Sequence, residues 1–211
     1  ARLCALLRER MPALVGVVCN INKENTNVIL GTQTKTLWGR AEIKDTLLGK
    51  TFTIAPAAFY QVNHDQCEKL YALAGEYAGL TGEETLLDLY CGAGTIGICL
   101  SNQCRQLIGV EIVPQAVENA KQNALQNGVT NARFLCADAP KAAQQLLAEG
   151  IQPDVVIVDP PRKGCDSSVF DAIEKMGAKR IVYVSCDPAT LARDLAVLEE
   201  KGYRAVKATA V

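Results

Sequence analysis

Aromatic side chains make up only 5% of these 211 residues, with a single Trp and a single His. A lone His64 in the first turn of an expected helix reads as a surface or packing residue. The nine cysteines contain no Cys-x-x-Cys pair, which argues against a zinc or iron–sulfur site. An odd count in an α/β-type composition also argues against a disulfide framework. Most of these thiols therefore read as small buried apolar residues. No apolar run approaches membrane-spanning length, and no charged-then-apolar leader is visible. We expect a protein that neither crosses a membrane nor holds a metal, and, separately, one that is cytoplasmic and monomeric. The chain starts at Ala1 within a helical pattern and stops at Val211 within an expected strand, so we read it as part of a longer protein.

What is present is apolar bulk and glycine. Hydrophobic residues are 49% of the chain and glycines number 16, a composition suited to a parallel α/β sheet. Charge is unevenly spread. Residues 1–60 hold eight Lys/Arg against four Asp/Glu, a net of +4, and the remainder holds fourteen against nineteen, a net of −5. A basic N-terminal piece on an acidic body hints at a polyanionic partner, beside the plainer reading of ordinary surface charge.

Residues 1–57 are expected to form a partial, antiparallel β-rich region. It has a helix over Arg2 to Arg10 and strands over Ala13–Asn20, Asn27–Leu30, Lys35–Arg40 and Thr51–Ile54. Asn22-Lys23-Glu24-Asn25 and Leu48-Gly49-Lys50 supply the turns. From residue 58 to 211 a doubly wound α/β domain is expected. Asn63 should cap a helix over His64–Ala78. Strands over 86–90, 106–111, 132–136, 155–159, 180–185 and 203–209 alternate with helices near 96–102, 114–127, 140–149, 167–176 and 188–201.

The organising stretch is Thr85-Leu86-Leu87-Asp88-Leu89-Tyr90-Cys91-Gly92-Ala93-Gly94-Thr95-Ile96-Gly97. A buried strand enters a glycine loop that opens a helix, and the following strand ends on Glu111. Glycines allow close backbone approach to a ligand, a helix start offers N–H groups, and Glu111 can accept from two ribose hydroxyls. Gly92-x-Gly94-x-x-Gly97 alone fits nicotinamide and S-adenosylmethionine equally. Asp138, after the third strand, is placed either to accept from an adenine amine or to cap the next helix. Phe59, Tyr60 and Gln61 precede the first helix of the domain and could close over a ligand. The two aromatics could instead fill the gap beside the β-rich region.

Two later segments narrow the choice. Val155 to Val158 deliver Asp159 to the carboxyl edge of the sheet, and Pro160-Pro161 stiffen a ledge that ends at Arg162. A nicotinamide enzyme has no use for such a ledge. It is similar to the Asp-Pro-Pro-aromatic motif of amino-group methyltransferases, except that Arg162 stands where their base-stacking aromatic belongs. Then Ser185-Cys186-Asp187-Pro188 places Cys186 between a strand end and a helix start. A helix N-terminus and nearby cations favour a thiolate there, although Asp187 opposes them. Cys186 reads as a nucleophile.

The combined pieces resemble the RNA uracil-C5 methyltransferase family. They are Phe59-Tyr60-Gln61-Val62-Asn63, Asp88-Leu89-Tyr90-Cys91-Gly92-Ala93-Gly94-Thr95, Glu111, Asp159-Pro160-Pro161-Arg162 and Ser185-Cys186-Asp187-Pro188. The resemblance implies a Rossmann-like methyltransferase fold, S-adenosylmethionine as cofactor, and an RNA uridine as substrate, ribosomal RNA ahead of transfer RNA. Gln61, Tyr90, Gly92, Gly94, Thr95, Glu111, Asp138 and Asp159 would serve the cofactor. Cys186 would add covalently to carbon 6, and Arg162 would contact the substrate. The family's general base, a glutamate, would follow Val211, so a chain of these residues alone is expected to bind cofactor but methylate poorly. The family's N-terminal RNA-binding domain and four-cysteine cluster are not among these residues.

Overall fold

The computed structural model describes residues 2–23, 29–31, 33–56 and 60–211. They divide into two compact units, Ala1–Asp45 with Phe52–Tyr60, and Thr46–Thr51 with Gln61–Val211.

The first unit opens with α1 (Arg2–Arg10), which has no buried residue. Strands β1 (Gly16–Ile21) and β2 (Gln33–Gly39) pair antiparallel with a bulge at Val17/Val18. Arg8 of α1 lies over the ring of Trp38, 4.6 Å from its centroid. A second hairpin joins β3 (Ile43–Leu47) to β4 (Lys50–Ile54) through Leu48 and Gly49. Both turn residues have positive φ, 47° and 76°, the conformation that matches a two-residue turn to the strand twist. Strand β3 carries two charges in five residues, so no alternation announced it. Of the strand expected over 27–30, Asn27 and Val28 lie outside the described residues, and Ile29 and Leu30 form a bend. Glu24 and Asn25 of the expected turn also lie outside them.

The second unit alternates helix and strand. The elements are α2 (His64–Ala78), β5 (Thr85–Leu89), α3 (Thr95–Leu100), β6 (Gln106–Glu111), α4 (Pro114–Gln126), β7 (Ala132–Cys136), α5 (Ala139–Ala148), β8 (Val155–Val158), α6 (Ser167–Met176), β9 (Arg180–Tyr183) and α7 (Pro188–Glu200). A short 3-10 turn, Ser101–Gln103, follows α3. The five strands are parallel in the order β7-β6-β5-β8-β9, so the winding reverses between β5 and β8. Every residue of β5 and β8 is buried. Strand alternation then sorts the two faces. Leu87, Leu89, Ile108, Val110, Val156 and Val158 pack with Leu146, Phe170, Ile173, Met176 and Leu198 of α5, α6 and α7. The opposite face, which carries Asp88, lies against α2, α3 and α4. Burial of each such Leu, Ile or Phe contributes about 1.5–3 kcal/mol.

Sequence punctuation sets most helix ends. The Asn63 side chain accepts the Gln66 N–H, and Gly79 closes α2 in the left-handed conformation. Residues 203–211 correct an expectation. They form no strand, although their apolar pattern suggested one. A ladder needs a neighbouring backbone, and this segment is held instead by side chains. Lys207 pairs with Glu76 at 2.8 Å and lies over Tyr77, whose hydroxyl meets Thr209. No helix among the described residues is long and apolar enough to cross a membrane.

Candidate active site

Parallel register aligns the carboxyl ends of the five strands. Glu111 on β6 stands opposite Cys136 on β7, Leu89 opposite Val110 and Val158, and Val158 opposite Tyr183. One residue further on, Tyr90 and Asp159 flank the point where the strand order reverses. The Val184 N–H donates to the Val158 carbonyl at 2.8 Å, so Cys186 follows just beyond the same edge. Strands lie about 4.8 Å apart, so the ends of β5 and β9 are roughly 10 Å from each other. An open parallel sheet places its ligands in the crevice at such a reversal.

The glycine loop is held from three sides. Tyr90, Gly92 and Gly94 all have positive φ, at 62°, 54° and 80°. For tyrosine this conformation is unusual and costs about 1–3 kcal/mol. At Gly94 a Cβ would press on Ile98, Ala120 and Phe134, so the loop descends to the helices as only glycine allows. The Gly92 N–H donates to Glu111 Oε2 at 3.1 Å, and Asn123 Nδ2 donates to the Ala93 carbonyl at 3.1 Å. Glu111 Oε1 accepts from the Val113 N–H at 2.9 Å. Glu111 thus shapes the loop.

Asp88 escaped the sequence reading as a functional group. It is 1% exposed, and its Oδ2 accepts the Gly97 N–H at 2.9 Å. Its Oδ1 is buried without a hydrogen-bond partner. Burial, opposed by the Gly97 bond and reinforced by Asp159 and Glu111, pushes its carboxyl up to about 7. Burial likewise raises Asp159 to about 6. The signal in the sequence was a carboxylate at the centre of an otherwise apolar strand. Such a group is costly to bury unless it is paired.

The other expected site residues are distributed as follows. The Thr95 hydroxyl hydrogen-bonds to Tyr71 at 2.9 Å. Tyr90 lies near Cys165, and burial raises its phenol pKa. Asp138 caps α5 by accepting the Lys141 N–H at 2.9 Å, and its other oxygen pairs with Lys141 Nζ at 3.0 Å. Gln61 is half-buried, two residues before the α2 cap. The Tyr60 hydroxyl donates to Asp45 at 3.0 Å, while Phe59 lies outside the described residues. His64 is 3.9 Å from Glu68 on the same helix. Arg162 is exposed in a turn closed by the Gly164 N–H to the Pro161 carbonyl at 2.8 Å.

Cys186 is exposed, and the backbone on either side of it is pinned. Ser185 Oγ donates to the Asp187 carbonyl at 2.9 Å and accepts its N–H at 3.1 Å. Asp187 caps α7, accepting from the Ala189 and Thr190 N–H groups at 2.9 and 3.1 Å. Cys186 therefore follows the carboxyl end of β9 on a short, tied loop.

A family model described as tRNA (Uracil-5-)-methyltransferase matches residues 32–210. An uncharacterized RNA methyltransferase of Clostridium acetobutylicum is 48% identical over 198 residues, covering 94% of this chain and 43% of the relative. One from Lactiplantibacillus plantarum is 49% identical over 197 residues, covering 93% and 43%. The chain therefore spans less than half the length of these curated relatives. The crystal structure of Pyrococcus abyssi tRNA (uracil-54, C5)-methyltransferase with S-adenosyl-L-homocysteine aligns with a TM-score of 0.73 at 29% identity. It covers 91% of this chain and 46% of that one.

Proposed function

The chain belongs to the tRNA (uracil-5-)-methyltransferase family, and from that premise we propose that it carries the catalytic centre of an enzyme methylating carbon 5 of a uridine in RNA, with S-adenosylmethionine as donor. The observation that carries this reading is the exposed Cys186 at the same carboxyl edge as the glycine loop, Glu111 and Asp159. The donor fits the residues present. Its sulfonium and ammonium are cationic, and Asp88, Glu111 and Asp159 are close enough for their charges to act on one another. Asp88 Oδ1, buried and unpartnered, supports a cationic or hydrogen-donating ligand nearby. Gly92, Gly94, Thr95, Gln61, Tyr90 and Asp138 are the further residues assigned to the donor in this reading.

Carbon 5 of uracil is a weak nucleophile, and Cys186 supplies the remedy. Its thiolate adds to carbon 6, and the electron pair of the 5,6 double bond moves toward carbon 5 and oxygen 4. S-adenosylmethionine, held by the glycine loop, Glu111 and Asp159, would supply the methyl for carbon 5, its sulfonium becoming a neutral thioether. A base then takes the carbon-5 proton, and the returning pair expels the Cys186 thiolate. Arg162, exposed three residues after Asp159, would steady the enolate oxygen or a phosphate. A paired uridine must leave its stack to reach this edge, at a few kcal/mol.

5-Fluorouridine RNA tests the reading, because fluorine cannot leave carbon 5 as the proton does. The full-length protein should give a denaturant-stable adduct in the presence of donor, and Cys186→Ala should give none while still binding S-adenosylhomocysteine. An adduct that persists in Cys186→Ala refutes the covalent assignment. The proposed setting is cytoplasmic ribosomal RNA, and 5-methyluridine lost from transfer RNA after gene deletion would move the substrate there.

A further inference from the structure

We propose that Asp194 is a positioning residue that holds the Cys186 loop in register with the Asp159–Arg162 ledge, acting through Tyr183, Arg193 and the backbone at Cys165. The inference rests on the covalent mechanism above and assigns a role to residues that mechanism does not use.

Asp194 sits near the middle of α7, yet its side chain is 2% exposed. Both of its oxygens are filled. Oδ2 accepts from the Tyr183 hydroxyl at 2.6 Å and from the Cys165 N–H at 2.8 Å. Oδ1 accepts from Arg193 Nε at 2.8 Å and Nη2 at 2.6 Å. Burial alone would raise this carboxyl, but the bonds from Tyr183, Cys165 and Arg193 outweigh it and hold the group below its ordinary range. Arg193 also donates to the Lys163 carbonyl at 2.8 Å.

These donors come from three pieces of chain. Tyr183 ends β9, three residues before Cys186. Cys165 and Lys163 lie in the turn that continues the Asp159-Pro160-Pro161-Arg162 ledge. Arg193 and Asp194 belong to the helix whose N-cap adjoins Cys186. Gly164 records how close these parts come, since its φ is +77° and a Cβ there would collide with both Arg193 Nη2 and Asp194 Oδ2. The contacts also extend toward the glycine-loop edge, because the Cys165 thiol lies close enough to both Tyr183 and Tyr90 to influence their titration. A buried, fully bonded carboxylate contributes little net stability compared with apolar packing. Its directional bonds do restrict how the ledge and the nucleophile helix can sit against each other. A misplacement of about 1 Å can cost on the order of a hundredfold in rate.

The test uses the full-length enzyme with Asp194→Asn and Tyr183→Phe. Three quantities are read: S-adenosylhomocysteine affinity, RNA KM, and the rate of 5-fluorouridine adduct formation at saturating RNA. Asp194→Asn should keep the first two within roughly twofold and slow adduct formation roughly ten- to hundredfold. Tyr183→Phe removes one of four donors and should slow it several-fold; it decides the matter alone if Asp194→Asn does not fold. Wild-type adduct rates in the folded variants overturn the proposal. So does a loss of S-adenosylhomocysteine affinity as large as the loss of rate, which would mark a general structural role. Failure of the unmodified enzyme to form the adduct would instead sink the covalent mechanism itself.

Discussion

Asp88 should make the ligand-free protein less stable as pH rises, and replacing it with Asn should remove most of that loss. Its carboxyl is raised from 3.8 to about 7 in the fold. Below pH 3.8 both folded and unfolded chains carry the proton, so the group has no effect on stability. As pH rises from there to about 7, the unfolded chain releases the proton while the folded one retains it. Stability then falls by about 1.4 kcal/mol per pH unit. From pH 5 to 7 this amounts to about 3 kcal/mol, or roughly 6–12 °C in melting temperature for a protein of this size. Asp159, raised to about 6, adds about 1 kcal/mol between pH 5 and 6. Urea denaturation of wild type and Asp88→Asn at intervals from pH 5 to 8 measures both contributions. Asp88→Asn should retain only the smaller, lower-pH fall due to Asp159. An unchanged slope in the variant between pH 6 and 7 would show that this carboxylate is not the buried acid described here.

Two further outcomes are expected. Gly164→Ala should cost at least about 2 kcal/mol in a urea titration, since strain at positive φ is joined by collision with Arg193 and Asp194. Gly128→Ala, at φ +65° but with open space around it, should cost only about 1 kcal/mol, and equal losses would argue against the crowding at Gly164. Single-stranded RNA should quench the sole tryptophan, Trp38, beneath Arg8 in the basic first unit, and the effect should weaken steeply with added salt. Absence of quenching at low salt would remove this face from the RNA-binding surface.

Much of the architecture could be read from residue order. Apolar runs of four to six residues separated by capped amphipathic segments placed the five parallel strands and the helices between them. Asn63, Pro114, Asp187 and Pro188 act through their own neighbours, so they mark helix ends before any tertiary contact is known. The strand expected over 203–209 failed because strand formation needs a second backbone alongside, which local pattern does not report. Strand β3 was missed for the converse reason, as its pairing through Leu48-Gly49 overrides a charged pattern.

The site divides along the same line. The placement of the glycine loop, Glu111, Asp159 and Cys186 along one edge was legible because each follows the end of a strand, and parallel strands carry their ends to one edge. Asp88 and Asp194 were not, because a lone carboxylate in an apolar strand or a helix middle says nothing of its partners. Only the packed structure decided that one is left with a bare buried oxygen and the other with four donors from three segments. Chain order by itself determined which elements form and what chemistry their ends bear, since those depend on near neighbours. Tertiary structure decided which buried charges are satisfied and how rigidly the Cys186 loop is held, since those depend on groups far apart in sequence meeting where water is excluded.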